Sequence, residues 1–160
     1  SGRPKGVVLS HRIVCLHALG CMVEHRIHSG DVWGHIAPMF HLVDAYAMFS
    51  VTWVGGKHVM LSTFSAGSVL QLIELEHITV TNVASTMITL LLSHPSVTER
   101  DFSSLELLSC GGAPLNRATT MRAMEVSCPH NSLNPSRNKY HHTPITCARY
   151  LGANSFSPMV

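Results

Sequence analysis

The chain has 160 residues, about one domain's worth, and 46% of them are hydrophobic against 12% charged, a balance that excludes a disordered chain. The formal charge is only +2 and no basic stripe is present, so nucleic acid is not an implied partner. The longest apolar stretch, 42–54, is shorter than the ~20 residues a membrane span needs and contains Asp44 and Ser50.

In chain order, Ser10 can cap a helix whose apolar positions Ile13, Leu16, Gly20, Val23 and Ile27 recur every three or four residues. Gly30-Asp31 then turns into a short apolar run, Val32 to Ala37, stopped by Pro38. Asp44 starts a second helix that ends at Gly55-Gly56, and Lys57 to Leu61 reads as a strand. Ser65 opens a helix with Val69, Leu72 and Ile73 on one face, and Ile78 to Val83 is a β-branched strand. Ser85 opens a helix that stops by His94-Pro95. Leu105 to Ser109 is a further strand, and Gly111-Gly112-Ala113-Pro114 turns into a last helix near Leu115.

Composition changes near residue 126. Residues 1–125 hold all nine acidic residues and eight of the eleven Lys and Arg, whereas 126–160 hold Arg137, Lys139 and Arg149, no acid, and four of the eight prolines. The expectation is a partial domain over 1–125 and an irregular tail over 126–160. The five cysteines (Cys15, Cys21, Cys110, Cys128, Cys147) are odd in number and form no C-x-x-C pair, which favours a reducing compartment, cytoplasm or an organelle matrix, over a disulfide framework. Twelve histidines are present, but His25-x-x-His28 and His141-His142 belong to no larger ligand pattern. No metal ligand is therefore assigned.

Short apolar strands alternating with helices of this length are the signature of an α/β fold with a parallel sheet buried on both faces. Ligands of such sheets sit at the carboxyl ends of strands. That rule selects three loops, 1–6, 38–44 and 110–114. The first, Ser1-Gly2-Arg3-Pro4-Lys5-Gly6, combines glycines that open the backbone N–H groups to an anion with one lysine charge. As a bare pattern it is equally a surface turn.

Ser1 to His11, SGRPKGVVLSH, resembles the second half of the phosphate-loop signature of the adenylate-forming (AMP-binding) superfamily, T-S-G-[ST]-[ST]-G-x-P-K-G-V followed by Ser-His. The likeness continues in order. Gly30-Asp31 and Ala37-Pro38-Met39-Phe40-His41 resemble the family's Asp-led strand ending in P-[LM]-[FY]-H, and Gly55 to Leu61 resembles its next glycine turn and strand. Leu107 to Leu115 resembles the S-G-G-A-P-L turn, with Cys110 where glycine is usual. The likeness stops near Met124-Glu125-Val126, and no Y-G-x-T-E motif follows.

The resemblance implies part of the large N-terminal domain of an acid–CoA ligase of the acyl-CoA synthetase or aryl-CoA ligase type. Such an enzyme joins a carboxylic acid to ATP, with Mg2+, as an acyl-adenylate and passes the acyl group to coenzyme A. By the resemblance, Ser1, Gly2, Lys5 and Gly6 hold the phosphates, Lys5 also acting in catalysis. His41, catalytic as well, lies beside the substrate carboxylate, and Gly111, Gly112, Ala113 and Pro114 wall the adenine. Leu42, Val43, Tyr46 and Met87 line an acyl pocket suited to an aryl or medium-to-long aliphatic acid, although helical spacing alone makes them ordinary core residues. The family's magnesium-binding glutamate and its downstream ribose-binding aspartate have no counterpart here. Two alternatives stand beside the ligase: a non-catalytic product that at most binds nucleotide or a protein, and a peptide-synthetase adenylation or luciferase-like member.

Overall fold

In the computed structural model the described residues are 2–111, 113 and 115–127. Helix α1 (His11–His25) starts where the Ser10 hydroxyl accepts the Ile13 N–H at 3.3 Å, satisfying one of the first-turn donors that no helix can pair internally. It ends at Arg26, held in the left-handed region at φ 54°. After β1 (Val32–His35), helix α2 (Leu42–Val54) stops at Gly55, whose φ of 76° suits a residue without a Cβ. Then follow β2 (Lys57–Met60), α3 (Ala66–Glu76, capped by Ser65), β3 (Val80–Ala84) and α4 (Ser85–Leu92). A single 3₁₀ turn at Val97–Glu99, absent from the expectations, precedes β4 (Leu107–Gly111) and α5 (Arg117–Ser127).

Each expected element is present, with shifted ends that have local causes. Strand β3 starts two residues late because the Ile78 N–H closes back on Ile73 O at 3.1 Å. Strand β4 starts late because the Leu105 N–H turns onto Phe102 O at 2.9 Å. Helix α5 starts after Asn116, whose side-chain oxygen accepts the Thr119 N–H at 2.8 Å. The composition break near 126 falls inside α5, and the expected irregular tail lies, from residue 128 on, outside the described residues.

One expectation is overturned. The 13/16/20/23 stripe of α1 faces outward, Ile13, Leu16 and Val23 being 51%, 57% and 79% exposed. The covered stripe is instead Val14, Ala18, Cys21, Met22 and His25. Ala18 decides this: its small side chain lets α2 approach until the Ser50 hydroxyl donates to Ala18 O at 3.2 Å. Periodicity fixed that α1 is a helix but not which face α2 selects.

The four strands are all parallel, in the order β2-β1-β3-β4. One apolar cluster, Trp33, Val80, Ala47, Val51 and Ile27, packs the sheet against α1 and α2. A larger one, including Val59, Leu70, Ile73, Val83, Ile88 and Leu108, packs the other face against α3, α4 and α5. Alternate residues of each strand feed the two faces. The chain leaves β1 towards β2 through α2 and returns past β1 to β3, so the direction of winding reverses between β1 and β3. These two strands pair at only two positions, Trp33 with Val80 and Gly34 with Thr81, whereas β3 and β4 pair at five. The sheet therefore splays at the carboxyl ends of β1 and β3, where open α/β sheets bind ligands.

Candidate functional site

The loop after β1 opens onto that splay. The His41 N–H donates to Pro38 O at 3.0 Å, and His41 O accepts the N–H groups of Asp44 and Ala45, both at 3.1 Å. His41 is thus the N-cap residue of α2, but its imidazole makes no capping bond. It is exposed and rests against Phe40 with ring centroids 4.6 Å apart. A side chain held at a helix start and left open is available to a ligand.

Strands β3 and β4 meet the same edge. The Ser85 hydroxyl, at the first residue of α4, donates to Ala113 O in the turn after β4 and lies 3.4 Å from Cys110 Sγ. This ties the two strand ends together and leaves Ala113 exposed beside buried Gly111. Gly112, Pro114 and Ser1 lie outside the described residues. Loop 1–6 precedes α1, the first described element. Residues 2–10 are exposed throughout, with Gly2 at φ 128° and open space around Gly6. Lys5 therefore stands free of the core.

The candidate acyl-pocket residues do not converge. Leu42 is 65% exposed. Tyr46 turns towards α1, its hydroxyl 3.1 Å from His25 Nε2 and accepting from Asn82 Nδ2 at 3.3 Å. Met87 packs against the cluster on the opposite face, and its sulfur accepts the Ala84 N–H at 3.5 Å. Val43 lies in the first turn of α2.

Sequence reasoning missed a polar chain beneath the His41 loop. Trp33 and His35, two apart on β1, point to the same face, and the buried Asp44 carboxylate in the first turn of α2 sits above both. Trp33 Nε1 donates to Asp44 Oδ1 at 3.0 Å, and His35 Nδ1 lies 2.8 Å from Oδ2. His35 Nε2 lies 2.8 Å from His58 Nδ1, the two rings stacked 5.1 Å apart, and His58 Nε2 reaches the Thr52 hydroxyl at 3.0 Å. The available signal was the Trp-x-His pair next to an acid at a helix start.

Burial holds several groups neutral. It pushes His25 below the usual histidine value, and it pushes His58 down with help from neighbouring His35, Asp44 pulling the other way. Burial also raises the Cys21 thiol and pushes Tyr46 up to about 12. Unfolded histidines titrate near 6.5, so below that pH the unfolded chain binds more protons than the folded one. Stability should be full above pH 6.5 and fall progressively below it. Thermal unfolding from pH 8 to pH 5 checks this, and a midpoint flat over that range would contradict it.

No carboxylate opens onto the splayed edge among the described residues: Asp44 is buried and paired, and the loops there contain no other acid. His28, Asp31 and Glu106 bring one ligand atom each within 4.8 Å of the others, but before β1 and β4, at the opposite edge. No described helix is long and apolar enough to cross a membrane.

Comparison with known proteins gives the family and the fold. Residues 1–134 match the model of the family described as AMP-binding enzyme. A feruloyl-CoA synthase from Amycolatopsis sp is 34% identical over 116 residues, covering 72% of this chain and 24% of the relative. A 4-coumarate–CoA ligase 2 from Oryza sativa subsp. japonica is 30% identical over 123 residues, covering 73% and 21%. Among solved structures, ATP-bound MatB from Rhodopseudomonas palustris superposes with a TM-score of 0.69 at 27% identity, covering 81% of this chain and 25% of that one. The inhibitor-bound N-terminal domain of FACL13 from Mycobacterium tuberculosis gives 0.72 at 24% identity, covering 76% and 30%. The chain thus spans about a quarter of the length of the curated relatives it matches.

Proposed function

The chain belongs to the AMP-binding enzyme family, and from that premise we propose that it works as the phosphate-loop and acid-binding part of an ATP-dependent acid–CoA ligase. The observation that carries the reading is the open His41 at the splayed carboxyl edge between β1 and β3. A neutral imidazole there donates a hydrogen bond to a carboxylate without the cost of burying a second charge. Lys5, exposed among glycines, offsets charge on the triphosphate as two anions are brought together. Gly111 and Ala113 offer backbone to a flat base.

ATP fits the open loop 2–6 and the β4 turn. Magnesium does not find an open carboxylate at this edge among the described residues, so no step is assigned to it. Coenzyme A enters as the acceptor of the acyl group. The relatives named for feruloyl-CoA and 4-coumarate–CoA support an aryl acid as substrate, and a medium/long-chain-fatty-acid–CoA ligase from Mycobacterium tuberculosis that is 30% identical supports a medium-to-long aliphatic one, with Leu42 and Val43 nearest to His41 in sequence. Cys15 and Cys21, which form no disulfide, support a reducing compartment, cytoplasm or organelle matrix. The domain boundary near 126 is part of the same proposal.

The test is acid-dependent pyrophosphate release by the full-length polypeptide with a panel of aryl and fatty acids. Lys5→Ala should slow it by about 10²–10³-fold, by analogy with loss of one oxyanion donor. The fold should survive, because Lys5 is exposed. Unchanged release from a folded Lys5→Ala protein would remove Lys5 from the site. The absence of any acid-dependent release would remove the ligase reading.

A further inference from the structure

We propose that Asp44 is a positioning residue for His41: with Trp33 and His35 it clamps the first turn of α2 onto β1 and so sets where the His41 imidazole points. This rests on the ligase reading for what His41 does, not for where it sits. The His35–Asp44 bond joins the last residue of β1 to the first turn of α2 and so closes the loop 36–43 at its base. Short loops closed at both ends keep few conformations. His41 is held within it by its own backbone bonds to Pro38, Asp44 and Ala45.

The chemistry of the clamp is unusually complete. Asp44, Trp33 and His35 are buried to 0%, 0% and 2% exposure. An ionised carboxylate at that depth is tolerable only with charge-assisted donors on its oxygens, and β1 supplies one to each. Bonding assigns the protons in one direction. His35 Nδ1–H donates to Asp44, which leaves His35 Nε2 to accept from His58 Nδ1–H, and His58 Nε2 to accept from the Thr52 hydroxyl. One added proton fits: His58 Nε2–H then donates to Thr52, whose hydroxyl turns. A second would set two N–H groups against each other across 2.8 Å and break the bridge. Of the other titratable groups on this face, His25 and Tyr46 bond to each other and stand around Trp33, and His17 and Cys21 of α1 lie against Tyr46. They leave the Asp44 carboxylate to Trp33 and His35.

The test, made in the full-length polypeptide, compares Asp44→Asn, which keeps the volume and removes the charge, with His41→Ala and the double variant. A misplaced reacting group costs up to about 10²-fold in rate, so Asp44→Asn should lower kcat towards that extent with KM for ATP unchanged. In the His41→Ala background it should cost no more than about twofold, as for two residues acting through one effect. By nuclear magnetic resonance, Asp44→Asn should displace the His41 imidazole signals and move the His58 titration to lower pH, since Asp44 supports the proton there. If Asp44→Asn does not fold, Trp33→Phe, which removes one donor and little volume, takes its place in the same measurements. Wild-type kcat in the folded variant, or independent multiplication of the two effects, overturns the proposal. Should the wild type show no acid-dependent activity, the ligase reading fails separately. The His41 signals then decide: displaced by Asp44→Asn they support the clamp, unmoved they refute it.

Discussion

Replacing Trp33 with alanine should destabilise the chain by about 4.5–8 kcal/mol. The side chain is fully buried, between β1 and the α1–α2 pair, with Tyr46 edge-on at 6.0 Å and His25 edge-on at 6.4 Å. Truncating a buried aromatic to alanine costs about 3–5 kcal/mol in lost transfer energy and cavity. Here the same change removes the donor to Asp44 Oδ1, and a buried charged acceptor left without its bond costs about 1.5–3 kcal/mol more. A domain is stable by only about 5–15 kcal/mol, so the two losses together remove from about a third of it to all of it. Trp33→Phe separates them, because it keeps most of the volume and loses only the indole N–H. Urea unfolding of the three proteins is the measurement. A Trp33→Ala chain within about 1 kcal/mol of wild type, the ordinary range for a point change, would show that Trp33 does not hold the α1–α2 layer to the sheet.

The same residue shows where sequence reading stops. Strands and helices were legible because parallel strands buried on both faces are continuously apolar and their boundaries are marked by Gly, Pro and capping Ser. Ser10, Ser65 and Gly55 act where they were expected to act. The exposed face of α1 was not legible, since a repeat of three and four residues occurs on both sides of that helix and only the approach of Ser50 to Ala18 selects one. The family motifs located Lys5, His41 and the β4 turn. They gave no hint of the Trp33–Asp44–His35–His58 chain, whose members come from β1, α2 and β2 and of which only Trp33 and His35 share a local spacing. A histidine read alone is a scattered histidine; it becomes part of a network only when the sheet register puts His58 on the same face as His35. The resemblance set Tyr46 among the acyl-pocket residues; in the fold its ring stacks on His25 of α1, a neighbour that no spacing in the sequence announces.

The 160-residue polypeptide expressed by itself should release no pyrophosphate in response to any acid. Forming an acyl-adenylate brings a carboxylate against a triphosphate, so the rate depends on cations and donors placed around the charge that develops. On this polypeptide the family's T-S-G-[ST]-[ST]-G lead into the phosphate loop is represented only from Ser1-Gly2 onward, and the Y-G-x-T-E glutamate has no counterpart. Among the described residues the splayed edge offers no open carboxylate to a metal ion, and Lys5 sits on an exposed segment. Groups that act as a unit fail together rather than in proportion, so Lys5 and His41 alone should not retain a measurable share of the rate. The sheet adds a second obstacle. Among the described residues strands β2 and β4 each have a single neighbour, and an unpaired parallel edge invites association with other chains. The measurement is acid-dependent pyrophosphate release from ATP by the purified, soluble polypeptide, with the Lys5→Ala, His41→Ala double variant as the blank. Release clearly above that blank would mean that residues 1–160 contain a complete adenylation site, and that the missing motifs are dispensable for the first chemical step.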